Sequence, residues 1–339
     1  MNLLGPDAPL VIAHRGASGY HPEHTHSAYR AAIEHGADAV EPDLVASRDG
    51  VLVIRHENEM SKSTDVAERP EFADRRTTKS IDGVSRTGWF TEDFTWAELC
   101  TLRATEPLPG IRFASLVHSG TEPIMRLEDL LALLDEQERP VGAVLEIKHA
   151  SYFAGIGLPL DVLLAGALTA AGWTGDPRLT IESFELTFFD KLRESGVAAR
   201  FIYLIESKGV PFDRPHASYA SSLTDEGLRE LRRHVDGISV SKKLLLQKDE
   251  AGVVSSTDLV ERAHAAGLLI YGWTLRAENK FLTGRHHGGG AESDHGDWPS
   301  EFGLILASGI DGVFSDHPDL ALEVRRNLAT HTDPPPRVK

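Results

Sequence analysis

The sequence lacks the features of three protein classes. Its one cysteine, Cys100, cannot form a disulfide within the chain, which excludes a disulfide scaffold. No apolar run is long enough to span a membrane, so an integral membrane protein is not expected. Positive charge is scarce, because 35 lysines and arginines stand against 51 aspartates and glutamates, which argues against a nucleic-acid binder. The first residues carry no export signal, so the chain as written is expected in the cytoplasm, or in an exported, periplasmic-type location if a leader was omitted.

The sequence instead contains a regular alternation of strand and helix patterns. With 339 residues, 41% of them hydrophobic, it is long enough for one large α/β barrel. Short apolar runs predict eight strands, at residues 10–13, 39–45, 143–147, 179–181, 200–205, 237–240, 268–274 and 311–314. Amphipathic stretches predict helices, clearest at residues 26–35, 126–137, 160–170, 186–194, 225–233 and 257–266. This repetition favours a (β/α)₈ TIM barrel over a doubly wound sheet, since no GxGxxG follows the first strand.

Two segments interrupt the alternation. Residues 51–54 follow the second strand too closely for a parallel crossover, so they are predicted to form an antiparallel hairpin with it. This hairpin opens a polar insertion of about residues 57–123, and the Gly- and His-rich segment 283–298 is predicted to be a mobile loop. Residues 1–328 are expected to form a single catalytic domain, and residues 329–339 a flexible tail.

The second strand carries two acidic residues, Glu41 and Asp43. Their spacing places both carboxylates on one face of the strand, where like charges require a cation or a proton between them. A two-residue turn in the hairpin would place His56 opposite Glu41 or Asp43, depending on which two residues form the turn. The carboxylates would then raise the pKa of His56 and suit it to general acid–base catalysis. A solvated strand face or a structural ion-pair network would give the same pattern.

The first and third strands add further polar residues. His14 and Arg15 end the first strand, and Glu146 and Lys148 share one face at the end of the third. Because the strands of such a barrel end at its catalytic face, we expect these side chains to meet the acidic pair. Three carboxylates suit Ca²⁺ or Mg²⁺ better than zinc. The side chains of Arg15 and Lys148 would bind a phosphoryl group beside the metal ion. Arg15 could equally pair with a carboxylate of the protein.

These residues lie in motifs that resemble the glycerophosphodiester phosphodiesterase family. The stretches VIAHRGASGYHPEHT and AVEPDLVASRDGVLVIRHENEM are followed in the same order by LEIK, SF, WTLR and GIDGVFSDHPD. The resemblance spans roughly residues 11–322 and is greatest to the longer bacterial periplasmic type. It implies a TIM barrel and metal-dependent hydrolysis of a small-molecule glycerophosphodiester to sn-glycerol 3-phosphate and an alcohol.

The resemblance also implies roles for individual residues. The predicted site comprises the catalytic pair His14 and His56, the Ca²⁺ or Mg²⁺ ligands Glu41, Asp43 and Glu146, and the phosphate ligands Arg15 and Lys148. Glu23 would orient Arg15 or a glycerol hydroxyl, and Trp273 would pack against the glycerol. We assign the acid to His14 and the base to His56. The first nucleophile is either water or a neighbouring substrate hydroxyl, which would give a cyclic phosphate.

Some positions depart from the family pattern. Glu57-Asn58-Glu59 follows His56 where His-Asp is commoner in the family, Glu182 stands where glutamine is usual, and Pro42 is unusual between the two acids. Two residues near strand ends have ordinary structural explanations: Asp316 would line the rim or cap a helix, and Arg276 would lie in a solvated loop.

Two other functions remain open at this point. A lysophospholipase D or sphingomyelinase-like enzyme would share the same site but would need an exposed apolar surface, which the sequence does not reveal. A barrel glycosidase could use Glu41 and Glu146 as its acid pair. The glycosidase would leave the histidines and cations without a role and would need no metal.

Overall fold

The predicted strands form a closed barrel in the computed structural model, which describes residues 8–250 and 252–332. In chain order the strands are β1 (Leu10–His14), β2 (Ala39–Glu41), β3 (Asp43–Ala46), β4 (Leu52–Ile54), β5 (Thr77–Ile81), β6 (Val84–Gly88), β7 (Gly142–Ile147), β8 (Leu179–Ser183), β9 (Arg200–Ile205), β10 (Gly237–Ser241), β11 (Leu246–Lys248), β12 (Val254–Ser256), β13 (Leu269–Leu275) and β14 (Gly312–Ser315). Parallel pairing runs β2–β1–β14–β13–β10–β9–β8–β7 and closes between β7 and β2. The predicted TIM barrel is confirmed.

Helices pack around the barrel between its strands. They are α1 (His26–His35), α2 (Trp96–Leu99), α3 (Leu127–Asp135), α4 (Ala150–Gly155), α5 (Leu160–Ala171), α6 (Leu186–Glu194), α7 (Tyr219–Ser222), α8 (Asp225–Leu231), α9 (Lys242–Leu245), α10 (Leu259–Ala265), α11 (Trp298–Leu306) and α12 (Pro318–Thr332). The predicted tail is wrong for residues 329–332, which complete α12; residues 1–7 and 333–339 lie outside the described part of the chain. Among the described residues, no helix has the length and apolar character needed to cross a membrane.

Apolar side chains form two buried clusters. The inner one fills the barrel and comprises Ile12, Ala39, Val144, Ile202, Tyr271 and Phe314. The outer one lies between strands and helices, and it also takes in Phe72, Trp89 and Phe94 of the insertion. The insertion therefore packs on the core of the barrel.

Pro42 divides the second barrel strand into β2 and β3. Proline has no N–H to donate, which interrupts the ladder, but its carbonyl accepts a hydrogen bond from Glu146 N at 2.9 Å. Pairing to β7 therefore continues on both sides of the break. Glu41 and Asp43 flank the proline.

The hairpin between β3 and β4 forms as predicted, but its register differs by one residue. Leu44 lies opposite Ile54, so His56 is opposite neither Glu41 nor Asp43. The loop has three residues, ending at Gly50 with a φ of +79°, rather than two. His56 therefore follows the end of β4 and reaches the acidic residues from beyond the strand.

Hydrogen bonds from two side chains hold the Gly- and His-rich segment to the rest of the protein, and its mobility stays a prediction. Asn279 supplies its hydrogen bonds, donating to Ala291 O at 3.0 Å and accepting from Gly288 N at 2.7 Å. Glu301 accepts from Thr283 N at 2.6 Å. These side chains satisfy backbone N–H and C=O groups that would otherwise be paired within a helix or a strand.

Candidate active site

The turn after β1 brings His14 and Arg15 to the mouth of the barrel. Gly16 has a φ of +84°, and a Cβ atom there would lie 2.6 Å from the carbonyl carbon of Ala28, so the position requires glycine. Arg15 also has a left-handed backbone, with a φ of +60°. Its N–H donates to Glu41 Oε2 at 2.9 Å, which couples this strained turn to the acidic residues.

Glu41, Asp43 and Glu146 converge at the mouth of the barrel. All three are buried, and each offers a carboxylate oxygen within 4.8 Å of the others. Oε1 of Glu41 and Oδ1 of Asp43 have no hydrogen-bond partner among the described residues, although Lys148 Nζ lies 3.6 Å from Asp43 Oδ1. Buried oxygens of like charge without hydrogen bonds are unfavourable unless a cation or a proton lies between them. Three hard oxygen ligands therefore fit a divalent cation such as Ca²⁺ or Mg²⁺.

The pKa values of these carboxyls reflect their crowding. Burial, and then the charges of Asp43 and Glu146, raise the pKa of Glu41 well above its usual value. Burial raises the pKa of Glu146 to about 7, although Lys148 opposes the shift. Asp43 differs, because the attraction of His56 and Lys148 outweighs its burial and holds its pKa well below the usual value. A divalent cation would compete with protons for this cluster and favour its ionised form.

Arg15 and Lys148 flank the acidic cluster. Arg15 donates to Glu23 Oε2 at 2.7 Å, and its Nε lies 3.2 Å from Asp43 Oδ2. Lys148 Nζ donates to Glu146 Oε1 at 2.6 Å. Both cations also line the cavity above the cluster, where an anion could bind them. The sequence predicts that Glu23 orients either Arg15 or a glycerol hydroxyl, and Glu23 does contact Arg15. Its role in the reaction stays a prediction.

His14 is held by Asp316 at the end of β14. Its Nδ1 lies 2.6 Å from Asp316 Oδ1, and Asp316 also accepts hydrogen bonds from Arg112 and Arg276. Asp316 therefore contacts His14 and is itself held by two arginines. Arg276 was expected to be solvated, but it forms an ion pair with Asp316. Burial, and then Arg15, lower the pKa of His14 to about 4, although Asp316 opposes the shift.

His56 reaches the same cavity from the hairpin. Its Nδ1 lies 3.4 Å from Glu57 Oε1. The predicted rise of its pKa is wrong, because burial, then Arg15 and Lys148, lower it to about 4 against the opposing effect of Asp43. The imidazole is therefore neutral at pH 7 and able to accept a proton.

Two cavities meet where the histidines lie. The mouth cavity, about 880 Å³, extends over the barrel, and Trp273 lines it with its ring edge-on to Phe184 at 6.0 Å. The insertion cavity, about 470 Å³, lies between the barrel and the insertion, with Arg86 and Leu108 in its wall. His14, Arg15 and His56 line both cavities. A group bound to these three residues has space on either side.

Several residues of the site were not found from the sequence. His24 Nε2 lies 2.9 Å from Asp43 Oδ2, and Glu182, opposite Glu146 in the β7–β8 register, is buried with its Oε2 unpartnered among the described residues. The position of Glu182 on a predicted strand was a usable signal. Arg112 had none, because it lies in an insertion without a periodic pattern.

Arg112 connects the insertion to the barrel. It is 5% exposed and donates to Ser18 O at 2.8 Å, to Glu278 Oε1 at 3.0 Å and to Asp316. Three buried bonds from one guanidinium hold the insertion over the rim of the barrel.

We expect Arg112→Ala to lower the free energy of unfolding by about 3–5 kcal/mol, because it leaves buried acidic partners without this cation. Denaturant unfolding of purified variants measures the change. Arg126→Ala is the control, since its ion pairs with Glu128 and Asp129 are at the surface and should contribute less than about 1 kcal/mol. Equal losses for both variants would contradict this role of Arg112.

In the part of the chain that the structure describes, the histidines of segment 283–298 point to different partners and do not converge on one another. His286 is buried with its Nδ1 3.6 Å from Asp297, His287 Nε2 lies 2.7 Å from Leu282 O, and His295 packs against His317. Among residues 8–250 and 252–332, the acidic cluster of the barrel mouth is the group with metal-ligand geometry.

Comparison with known proteins identifies the family of this chain. Residues 14–320 match the sequence model of the glycerophosphoryl diester phosphodiesterase family. Glycerophosphodiester phosphodiesterase GDPD6 of Arabidopsis thaliana is 30% identical over 326 residues, covering 92% of this chain and 85% of that protein.

Solved structures share the fold. A Silicibacter pomeroyi protein described as a glycerophosphoryl diester phosphodiesterase is 19% identical, with a TM-score of 0.67 and 96% of each chain covered. An Oleispira antarctica phosphodiesterase, solved with the product sn-glycerol-3-phosphate, is 20% identical, with a TM-score of 0.61 and coverage of 94% of this chain and 96% of that one. With the family match across most of its length, this chain belongs to the glycerophosphoryl diester phosphodiesterase family of enzymes.

Proposed function

We propose that this protein hydrolyses glycerophosphodiesters to sn-glycerol 3-phosphate and an alcohol in a reaction that depends on a divalent cation. The observation that carries the proposal is the convergence of three carboxylates, one of which (Glu146) lines the mouth cavity together with two cationic side chains and two histidines. The product bound to the Oleispira antarctica phosphodiesterase supports the choice of product.

Glu41, Asp43 and Glu146 would hold the cation, which is Ca²⁺ or Mg²⁺ by the chemistry of the ligands. When bound, this ion supplies Lewis-acid stabilisation of charge that develops on the phosphoryl oxygens. Arg15 and Lys148 bind the phosphate from the protein side, since both line the cavity. Arg15 is held for this task by Glu23, to which it donates at 2.7 Å.

The two histidines would move the protons. His56, neutral at pH 7, accepts the proton of the attacking hydroxyl, which belongs to water or to the glycerol moiety. The attacking oxygen forms its bond to phosphorus while the bond to the leaving oxygen breaks. His14 donates its proton to that oxygen, because Asp316 at 2.6 Å stabilises its imidazolium form. A bound phosphodiester adds negative charge beside His14 and raises its pKa toward the working range.

A substrate panel tests the proposal. We expect the purified protein, supplied with Ca²⁺ or Mg²⁺, to release sn-glycerol 3-phosphate from glycerophosphocholine and glycerophosphoethanolamine. We expect no p-nitrophenol from p-nitrophenyl glycosides, because a glycosidase would leave Arg15 and Lys148 without an anion. Cleavage of glycosides without cleavage of either diester would contradict the proposal.

One observation favours a second candidate, a lysophospholipase D. The insertion exposes Phe113 (61%), Leu116 and Val117 (73%), an apolar surface that we did not expect from the sequence. Such a surface suits contact with a lipid aggregate. Lysophosphatidylcholine belongs in the same panel, and choline release from it at a rate above that from glycerophosphocholine would favour this candidate.

A further inference from the structure

A third cavity, the side groove, opens next to the proposed phosphate site. It has a volume of about 670 Å³ and lies between β7, β8 and the segment after β9. Glu146 and Lys148 line its inner end, and Phe184 and Glu206 separate it from the mouth cavity because they line both. A phosphodiester held by Lys148 can therefore extend one of its two alcohol groups into the side groove.

The side groove carries an excess of negative charge. Three of its four acids have polar partners, since Glu146 accepts from Lys148 at 2.6 Å, Asp82 lies 2.5 Å from His149, and Glu185 accepts from Ser151 N at 3.0 Å. Glu206 makes no ion pair within the described part of the chain, and it is exposed to the groove. The uncompensated carboxylate favours a positively charged ligand group.

The wall of the side groove is aromatic. Tyr219 packs edge-on to Phe184 with ring centroids 6.4 Å apart, and Phe212 is 47% exposed at the rim. Phe184 also contacts a cation of the protein, since Lys148 Nζ lies 5.7 Å from its ring centroid. Aromatic faces bind alkylated ammonium groups well.

The mouth cavity is less favourable for an ammonium group. Its wall includes Lys243, which makes no ion pair within the described part of the chain and would repel a cation. Arg276 and Lys280 of the same wall are neutralised by Asp316 and Glu292. In choline and ethanolamine two carbons separate the ester oxygen from nitrogen, which keeps the nitrogen close to a phosphate bound at Lys148. We propose that the side groove binds the leaving alcohol and selects alcohols that carry an ammonium group, an inference that rests on the proposed function.

The ratio of kcat/KM for glycerophosphocholine to that for glycerophosphoglycerol tests this inference. Wild-type protein should prefer the choline ester, and Glu206→Gln should reduce the ratio by roughly threefold to tenfold, because it removes one charge and keeps the side-chain shape. Glu261→Gln, on the outer helix α10 and outside the side groove, is the matched control and should keep the wild-type ratio.

A second variant tests the aromatic wall. Phe184→Leu should reduce kcat/KM for glycerophosphocholine more than for glycerophosphoethanolamine, since the quaternary ammonium depends more on the ring. An unchanged choline-to-glycerol ratio in Glu206→Gln, with all diesters still cleaved, would overturn the inference alone. Failure of wild-type protein to cleave any diester would overturn the proposed function and the inference with it.

Discussion

Glu146→Gln is expected to abolish binding of the divalent cation and diester hydrolysis together. The substitution removes one of three converging carboxylates and weakens a site whose oxygens lie within 4.8 Å of one another. Replacing residues that merely support metal ligands lowers affinity by about 10–100-fold, so removal of a ligand should lower it by at least about 100-fold. Isothermal titration with Ca²⁺ and Mg²⁺ measures the affinity, and release of sn-glycerol 3-phosphate measures the activity.

Glu182→Gln is the matched control for this prediction. Glu182 lies opposite Glu146 on the neighbouring strand and is equally buried, but it is not a member of the acidic cluster. Its substitution also turns a buried carboxyl into an amide in the same region, so a smaller loss of cation affinity in Glu182→Gln would show that Glu146 acts as a ligand and not merely as a neighbouring acid. Cation binding by Glu146→Gln at wild-type affinity would remove that residue from the metal site.

His56→Ala is expected to lose turnover while keeping the cation. A positioned acid or base contributes about 10²–10⁴ in rate. The described ion-pair contact of His56 is with Glu57, which is not one of the three metal-ligand candidates. Single-turnover kinetics with saturating cation measure the loss, and titration calorimetry checks that the cation still binds.

His234→Ala serves as the control for His56→Ala. His234 lies on the outer surface, where it pairs with Asp190 and Glu230. Its removal should leave turnover at the wild-type level. Full activity of His56→Ala would contradict the two-histidine mechanism, whereas loss of cation binding by the same variant would show a structural role.

The barrel could be predicted because its signals are local. Short apolar runs separated by amphipathic helices recur eight times, and each of the eight predicted strands is present in the structure. The spacing of Glu41 and Asp43 also predicted their common face, since side chains of a strand alternate. These inferences depend on periodicity, which a single sequence displays directly.

The hairpin register could not be read in the same way. Asp49-Gly50 indicates a tight turn, but two-residue and three-residue loops use the same residues. The choice depends on the closing hydrogen bond from Ser47 N to Val51 O at 2.9 Å, which the sequence does not reveal. The error moved His56 by one position along the hairpin.

The supporting residues of the site were hidden for another reason. Arg112 and Asp316 are far apart in the chain, and their contact depends on how the insertion folds over the rim. The pKa of His56 was misjudged because the sequence showed its acidic neighbours but not its burial beside Arg15 and Lys148. Long-range packing and desolvation decide such features.

The most direct test of the account is release of sn-glycerol 3-phosphate from glycerophosphocholine by chelator-treated protein, before and after addition of Ca²⁺ or Mg²⁺. The account predicts that the metal-free protein releases no sn-glycerol 3-phosphate. Activity should return as the concentration of at least one of the two cations is increased. Undiminished release by protein verified to be free of metal would contradict it, because the buried acidic cluster would then have no part in the reaction.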